Sequence, residues 1–280
     1  MAATWHDLTI DGQDRRSDHA LLGLEPGGPG RASFVLTQPL ARFDGKLFGG
    51  TAIAVAVALA EVSTARPALW TTVQFISGAT SIGDRFECTT EVLAEGKSAA
   101  QVRVRALVEG REIFCALGAT AHHKQDRMES AFLPFPSVLP PAEAPPFVLP
   151  LPPALRPIAA KVLRNIEMRS AEPLPRGDGS HAHLRLWTRV PGSVATPAVM
   201  AYLADMVPLS IAHAAGRAGG GSSIDNTMRF SGAATAEWVL LDLVPSFASG
   251  GYGHGGLRVW SPGGELLATG SQTASLLLFG

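Results

Sequence analysis

The sequence predicts an α+β fold in which two tandem repeats build one continuous antiparallel sheet with central helices packed on it. Three observations carry this. A strand-like run, a small apolar helix pattern and four more strand-like runs occur twice in that order. A proline-rich stretch separates the copies. In the last two runs of each copy, Arg105, Gly110, Glu112 and Ile113 align with Arg258, Gly263, Glu265 and Leu266 at a constant offset of 153. Repeated order with fixed spacing is the mark of an internal duplication.

In the first copy, residues 31–40 alternate and read as a strand. Asp44-Gly45 forms a loop that leads to Gly49-Gly50 and a helix at about 51–65. Strand-like runs follow at about 69–78, 84–94, 98–108 and 112–123, punctuated by Gly83, Gly96 and Gly110. Ten of the 21 prolines then fall between 126 and 157. Proline lacks a donor and fixes φ, so this stretch reads as an extended linker over the surface; a proline-rich docking motif is the sharper alternative.

The second copy opens with a strand at 181–190 and continues into a helix at about 197–215. Thr196 suits its N-cap and Pro197 its first turn. Pro208 should kink this helix and Gly216 should end it. Four runs close the chain at about 222–232, 237–248, 254–261 and 265–279. One helix on a curved sheet leaves open edges, and joining two such units buries them. The expected domains are therefore 1–125, catalytically degenerate; a linker, 126–160; and 161–280, carrying the chemistry.

Composition narrows the function. Apolar residues make up 46% of the 280 residues and charged residues 17%, enough for a large core. The formal net charge is −1 and no run of Lys or Arg appears, which argues against nucleic acid as a partner. No stretch has the roughly 18 continuous apolar residues of a membrane helix, and Met1 to Asp7 is not the start of a signal peptide. Cys88 and Cys115 lack zinc-site spacing and read as reduced, buried thiols of a cytoplasmic protein. The eight histidines give no metal pattern: His122 and His123 face opposite ways in a strand, and His181 and His183 lack a third ligand. No metal and no cofactor are expected. Arg176-Gly177-Asp178 is a chance adhesion tripeptide, and the glycine clusters lack the Lys-Ser/Thr of a P-loop.

Three polar positions of the second copy stand out: Asp205 in the apolar helix, Ser223 at the start of a strand and Gln272 within the last strand. The offset of 153 sets Gln272 against Ala119, and aligning Phe230 with Phe75 sets Ser223 against Ala68. Asp205 falls near Ala58 or Leu59 when counted from the helix starts, or on Glu61 when Leu203-Ala204 is matched with Leu59-Ala60. Each has a plain alternative: a solvated or paired helix acid, a turn serine, a strand-face glutamine. Asp225 shares the face of Ser223 only if the strand is regular, and Glu61 reads as a solvated helix-end acid.

The strings Leu47-Phe48-Gly49-Gly50, Tyr202-Leu203-Ala204-Asp205-Met206, Ser223-Ile224-Asp225, Pro245 to Gly251 and Gln272 occur in an order and spacing that resembles the acyl-CoA thioesterase II family. That resemblance implies a double hotdog fold and hydrolysis of acyl-CoA. It also implies that Asp205, Ser223 and Gln272 hold the hydrolytic water, that acyl-CoA is the substrate and that the chain forms a homo-oligomer. The chemistry is consistent: a carboxylate can take a proton from water while a hydroxyl and an amide fix its orientation. The carbonyl oxygen would need backbone N–H donors near a helix N-terminus or a strand edge. The chain departs from the family at Asn226 to Gly232, where a His and then aromatic and basic residues are usual, and at Thr51, where a Gln is usual. No Gly-x-Ser-x-Gly elbow is present, so direct attack by water fits better than an acyl-enzyme. Two other readings compete: a non-catalytic acyl-CoA-binding protein, and an enoyl-CoA hydratase, whose Gly-Asp-x-Asn-Pro-x-His string is missing.

Overall fold

A computed structural model describes residues 8–122, 130, 132–149, 157, 165–172, 183–232, 234 and 236–279. His123, His181 and the Arg176-Gly177-Asp178 tripeptide lie outside the described residues. The first half contains β1 (Thr9–Ile10), β2 (Gln13–Asp14), α1 (Arg16–Leu22), β3 (Glu25–Pro26) and β4 (Arg31–Val35). It continues with α2 (Gly49–Thr64), β5 (Ala68–Phe75), β6 (Arg85–Glu95), β7 (Ala99–Val108) and β8 (Arg111–Ala121). The second half contains β9 (Glu167–Ser170), β10 (Leu184–Arg189), α3 (Pro197–Leu203), α4 (Val207–Ala214), β11 (Ala218–Phe230), β12 (Val239–Ser249), β13 (Tyr252–Trp260) and β14 (Leu266–Phe279).

All but the short β1–β2 ladder join one 12-stranded antiparallel sheet in the order β3-β4-β6-β7-β8-β5-β11-β14-β13-β12-β10-β9. The order is a palindrome: the two halves meet at β5 and β11, where Thr72 and Thr227 face each other with their hydroxyls 3.0 Å apart. This is the duplicated sheet that the repeated sequence pattern predicts.

Helix α2 is apolar on every side, and each residue from Gly49 to Val62 is buried. A helix without a polar face has to lie in the interior, and α2 packs on the sheet and against α3. The two helices meet closely because Gly50 has no side chain: a Cβ there would run into the Tyr202 carbonyl. Tyr202 in turn donates to the Pro39 carbonyl at 2.8 Å and meets the Phe48 ring edge-on, tying α3 to the approach of α2.

Several elements differ from expectation. The run at 31–40 is a strand only to Val35, after which a 3₁₀ turn at Gln38–Leu40 accommodates Pro39. The helix expected at 197–215 is two helices. Thr196 caps the first as expected, its hydroxyl accepting from the Val199 N–H at 3.2 Å. Pro208 cannot donate to the Ala204 carbonyl and its ring would clash there, so the chain leaves the helix at Ala204–Met206 and restarts with Pro208 in the first turn of α4. Gly216 follows α4 in the left-handed region, with φ +64°.

The described part of the proline-rich stretch, 132–149, lies along β9. Phe147 and Ser170 exchange backbone bonds with Met168 and Pro145, and Leu139 bonds to Ala171. Ala144 is buried with Trp187, Leu240 and Trp260. The prolines thus cover a sheet edge that would otherwise offer unpaired backbone groups. Cys88 and Cys115 are free; Cys88 is buried as expected, whereas Cys115 is only half-buried.

Candidate active site

The break between α3 and α4 holds Asp205. It is therefore not within a helix face, as the sequence suggested, but on a short turn whose carboxylate is turned into the protein. Its position depends on how closely α4 approaches the sheet. A Cβ on Gly255 would come within 2.9 Å of Val207 Cγ1, so only glycine lets the start of α4 sit there.

Ser223 and Asn226 reach Asp205 from β11 because the strand is irregular. The ladder with β14 slips between Ser223 and Asp225. A bulge of this kind changes which residues share a face. Here Ser223 and Asn226 both bond to Asp205, whereas Asp225 accepts from the Thr273 N–H at 2.9 Å and holds the bulge to β14. Gln272 lies directly across from Asn226 on β14 and is fully buried.

The three predicted residues come together. Asp205 Oδ1 accepts from the Ser223 hydroxyl at 3.2 Å, from Asn226 Nδ2 at 3.1 Å and from Gln272 Nε2 in a short bond. Gln272 Nε2 also lies 2.7 Å from Ser223 Oγ, so the hydroxyl accepts from the amide while donating to the acid. The Gly50 N–H at the start of α2 is a further donor to the carboxyl. Burial pushes the Asp205 pKa up to about 6, against the pull of the Ser223, Gly50 and Asn226 donors and of Arg42.

The other carboxylate oxygen, Oδ2, faces the first glycine of the Gly49-Gly50 pair. A Cβ on Gly49 would lie 2.5 Å from Asp205 Oδ2 and 2.8 Å from Ser223 Oγ. Gly49 and Ser223 line a cleft of about 160 Å³ together with Leu47, Phe75 and Ile113. Arg42 and Lys46 stand on its wall as well. Arg42 is committed to the scaffold: it pairs with Asp44 at 2.8 Å and donates to Ser222 Oγ at 2.6 Å.

Asn226, Gly49 and Arg42 were not among the candidate residues. Asn226 was hidden by the bulge, which a sequence pattern of period two does not reveal. Gly49 was visible as part of a glycine pair, without the close contact that explains it. Nothing in the sequence around Arg42 pointed to the site.

The counterpart positions in the first half are partly as expected. The β5–β8 ladder slips between Ala68 and Trp70, as β11–β14 does between Ser223 and Asp225, so Ala68 stands opposite Ser223 in the repeat. Gln272, however, corresponds to Gly118 and not to Ala119. Gln272 pairs with Asn226 and Gly255, and the residue pairing with Thr71 and Val102 is Gly118. The constant offset fails because the β13–β14 connection is one residue longer: Ala106 pairs with Phe114, but Val259 with Ala268. Glu61 is not a solvated helix-end acid. It is fully buried, accepts from Arg15 Nε and from the Ala68 N–H, each at 2.9 Å, and is covered by the α1 region.

Among the described residues, no group of three His, Cys, Asp or Glu side chains is placed to hold a metal ion, and no helix is long and apolar enough to cross a membrane.

Comparison with known proteins bears on this site. A family model described as the acyl-CoA thioesterase N-terminal domain matches residues 37–122, and one described as the acyl-CoA thioesterase C-terminal domain matches residues 139–276. A putative thioesterase from Novosphingobium aromaticivorans is 30% identical, with a TM-score of 0.79 over 92% of this chain and 99% of that one. A putative thioesterase II from Thermobifida fusca is 17% identical, with a TM-score of 0.78 over 92% and 98%. Acyl-CoA thioesterase II TesB2 from Mycobacterium marinum is 21% identical, with a TM-score of 0.71 over 94% and 99%. A hot dog fold protein from Alicyclobacillus acidocaldarius is similar over 94% of this chain, with a TM-score of 0.74. Comparison with curated proteins gives no match.

Proposed function

Because this chain belongs to the acyl-CoA thioesterase family and has its double hotdog fold, we propose that it hydrolyses acyl-CoA at one centre per chain, with Asp205 as general base and Ser223 and Gln272 orienting the water. What carries the reading is the convergence of donors on Asp205 Oδ1, which leaves Oδ2 on the side of Gly49 and the cleft. A carboxylate held by neutral donors and pushed up to about 6 is mostly ionised near neutral pH and still basic enough to accept a proton.

In the proposed reaction, water enters beside Gly49 and is held by Ser223 and Gln272. Asp205 Oδ2 takes one proton as the water oxygen bonds to the thioester carbonyl carbon. The carbonyl oxygen gains negative charge, and the N-terminus of α2 lies beside it. The first-turn N–H groups of a helix lack partners inside it and carry partial positive charge, so Gly49 N–H is the proposed donor to that oxygen. Collapse of the intermediate breaks the carbon–sulfur bond, and the departing thiolate recovers the proton from Asp205. The products are a free carboxylic acid and CoA.

The first half, as residues 1–125, would serve as a degenerate partner, joined through 126–160 to a catalytic repeat at 161–280. It contributes Gly49 and Gly50 to the site while offering Ala68 and Gly118 where the second half has Ser223 and Gln272. We also propose a cytoplasmic homo-oligomer acting in fatty acid metabolism, without a nucleic-acid or membrane partner. Free Cys88 and Cys115 and the formal net charge of −1 support the location and the lack of a polyanionic partner; the family's habit of assembly supports the oligomer.

The test is release of free thiol from short, medium and long acyl-CoAs by the wild type and by Asp205→Ala. Turnover should all but vanish in a variant that keeps its circular dichroism. Full activity in Asp205→Ala removes the proposed base. Binding of acyl-CoA by the wild type, with no thiol release at any chain length, makes the protein a binder instead of an enzyme.

A further inference from the structure

We propose that Asn226 is a positioning residue of this site: it pins Asp205 Oδ1 so that Oδ2 is the oxygen presented to the substrate. The inference rests on the reading of Asp205 as base and adds a residue that neither the sequence motifs nor the comparisons assign.

Three features of the geometry carry it. First, the three side-chain donors all fall on one carboxylate oxygen. An oxygen offers about two lone-pair directions, so Oδ1 is saturated and Oδ2 is the oxygen available for proton transfer. Second, the donors are not equivalent. Ser223 borders the cleft, and Gln272, itself fully buried, bonds Ser223 as well as Asp205. Asn226 is fully buried, its Nδ2 is bonded to Asp205 Oδ1, and it does not line the cleft. Its bond to the group is the one to Asp205, whereas Ser223 and Gln272 also bond each other, so Asn226 acts through Asp205. Third, the side chain is held there by the backbone and not by chance packing. The bulge at Ser223–Asp225 turns Asn226 inward, and Asp225 fastens that bulge to Thr273. The amide orientation is set too, because reversing it would place Oδ1 of Asn226 against a carboxylate oxygen.

Without the Asn226 N–H, the carboxylate keeps fewer donors in a buried setting, and its ionised form is less well supported. Ser223 and Gln272 still donate to Oδ1, but with one of its three side-chain donors gone the carboxyl is held less firmly in the orientation that presents Oδ2. The other groups acting on it are the Ser223 hydroxyl, the Gln272 amide, which pairs across the ladder with Asn226, the Gly50 N–H and the Arg42 charge.

The experiment is the pH profile of kcat/KM with one acyl-CoA for wild type, Asn226→Leu and Asn226→His. Asn226→Leu removes the donor at similar size. It should lower kcat at pH 7 at least tenfold, leave KM within threefold and move the acidic limb up by a pH unit or more. Asn226→His keeps a ring N–H donor and should hold the limb within half a unit of wild type. It also supplies the test should Asn226→Leu fail to fold, since a shift in its limb as large as that expected for leucine overturns the proposal. So does a folded Asn226→Leu whose limb is unmoved, whether its activity is intact or lowered equally at every pH. Asp205→Asn, measured alongside, separates this idea from its premise. Full turnover in Asp205→Asn overturns both, while a dead Asp205→Asn with an unmoved Asn226→Leu limb overturns only the role of Asn226.

Discussion

Each half of the molecule buries one acid against the bulge of the same strand of its sheet, and the two acids are treated in opposite ways. Asp205 meets Ser223 at the bulge of β11, and Glu61 meets Ala68 at the matching bulge of β5. Burial raises the pKa of both. Asp205 is then held by neutral donors, and one oxygen is left toward a cleft. Glu61 is held by the guanidinium of Arg15 and covered by α1, with Asp18 and His19 also buried there. Even the helix cap takes part: the Thr196 side chain bonds to Asp18. A buried carboxylate becomes available for chemistry when its partners are neutral and incomplete. A full-charge partner and a lid turn the same kind of residue into structure.

The largest expected effect is at Asp205. Replacing it by Asn keeps an acceptor for Ser223, Asn226 and Gln272 but removes the base, and turnover should fall by roughly 10²–10⁴-fold. Stability should move the other way. The folded-state pKa of about 6 exceeds the ordinary aspartate value of 3.8, so the folded protein binds the extra proton between these values and loses stability as pH rises through that window. Above pH 6 the ionised acid costs about 3 kcal/mol on the scale of ~1.36 kcal/mol per pKa unit. Asp205→Asn escapes this, so its Tm should match that of wild type near pH 4 and exceed it at pH 8. In wild type, kcat/KM should rise with pH and level off above about 6. A variant less stable than wild type at pH 8 would place Asp205 among the structural acids, beside Glu61.

Next is Gly49. Glycine to alanine in a helix ordinarily stabilises by roughly 0.5–1 kcal/mol. Here the new Cβ would lie 2.5 Å from Asp205 Oδ2, on the side where the water must enter. Gly49→Ala should therefore gain no Tm and lose about 10²-fold in kcat, the scale of a displacement of roughly 1 Å at a reacting centre. A variant that is more stable and fully active would show that the space beside Gly49 is unused.

Arg15 probes the other pocket. Arg15→Met leaves Glu61 buried beside the Ala68 N–H without its cation, which should destabilise by roughly 3–5 kcal/mol. Because burial raises the Glu61 pKa, the carboxyl can protonate at acidic pH, and the loss in a urea titration should be smaller at pH 5 than at pH 8. Turnover per folded molecule should be unchanged. A fall in turnover at full stability would mean that the two pockets are coupled and not separate.

Much of this was legible in the sequence, and what was missed has physical causes. The all-apolar run of α2, the glycine turns and the duplicated order fix the sheet, because they follow from burial and backbone geometry alone. Asp205, Ser223 and Gln272 stood out as polar residues in apolar runs. The errors arose where one local irregularity altered everything after it. Pro208 did not merely kink the helix but broke it between Leu203 and Val207, placing Asp205 on a turn. One extra residue in the last hairpin moved the partner of Gln272 from Ala119 to Gly118. The burial of Glu61 depends on Arg15, 46 positions away, and no local pattern announces that pair.

The smallest effect expected is at Asp225, and it separates the two kinds of acid most finely. Asp225 neighbours Asn226 and lies two positions from Ser223, yet its carboxylate bonds the Thr273 N–H on β14 and not Asp205. Asp225→Asn keeps an acceptor in place, so its stability should change by less than about 0.5 kcal/mol. Asp225→Ala removes the bond that fastens the bulge and should cost about 1 kcal/mol in a denaturant titration. The bulge sets which residues face Asp205, so a loosened bulge should lower kcat by less than tenfold in Asp225→Ala and hardly at all in Asp225→Asn. Proton transfer requires a carboxylate, whereas fastening a strand requires only an oxygen. If Asp225→Asn were as inactive as Asp205→Asn, Asp225 would be acting as an acid, and the division between reactive and structural carboxylates would have to be redrawn within β11 itself.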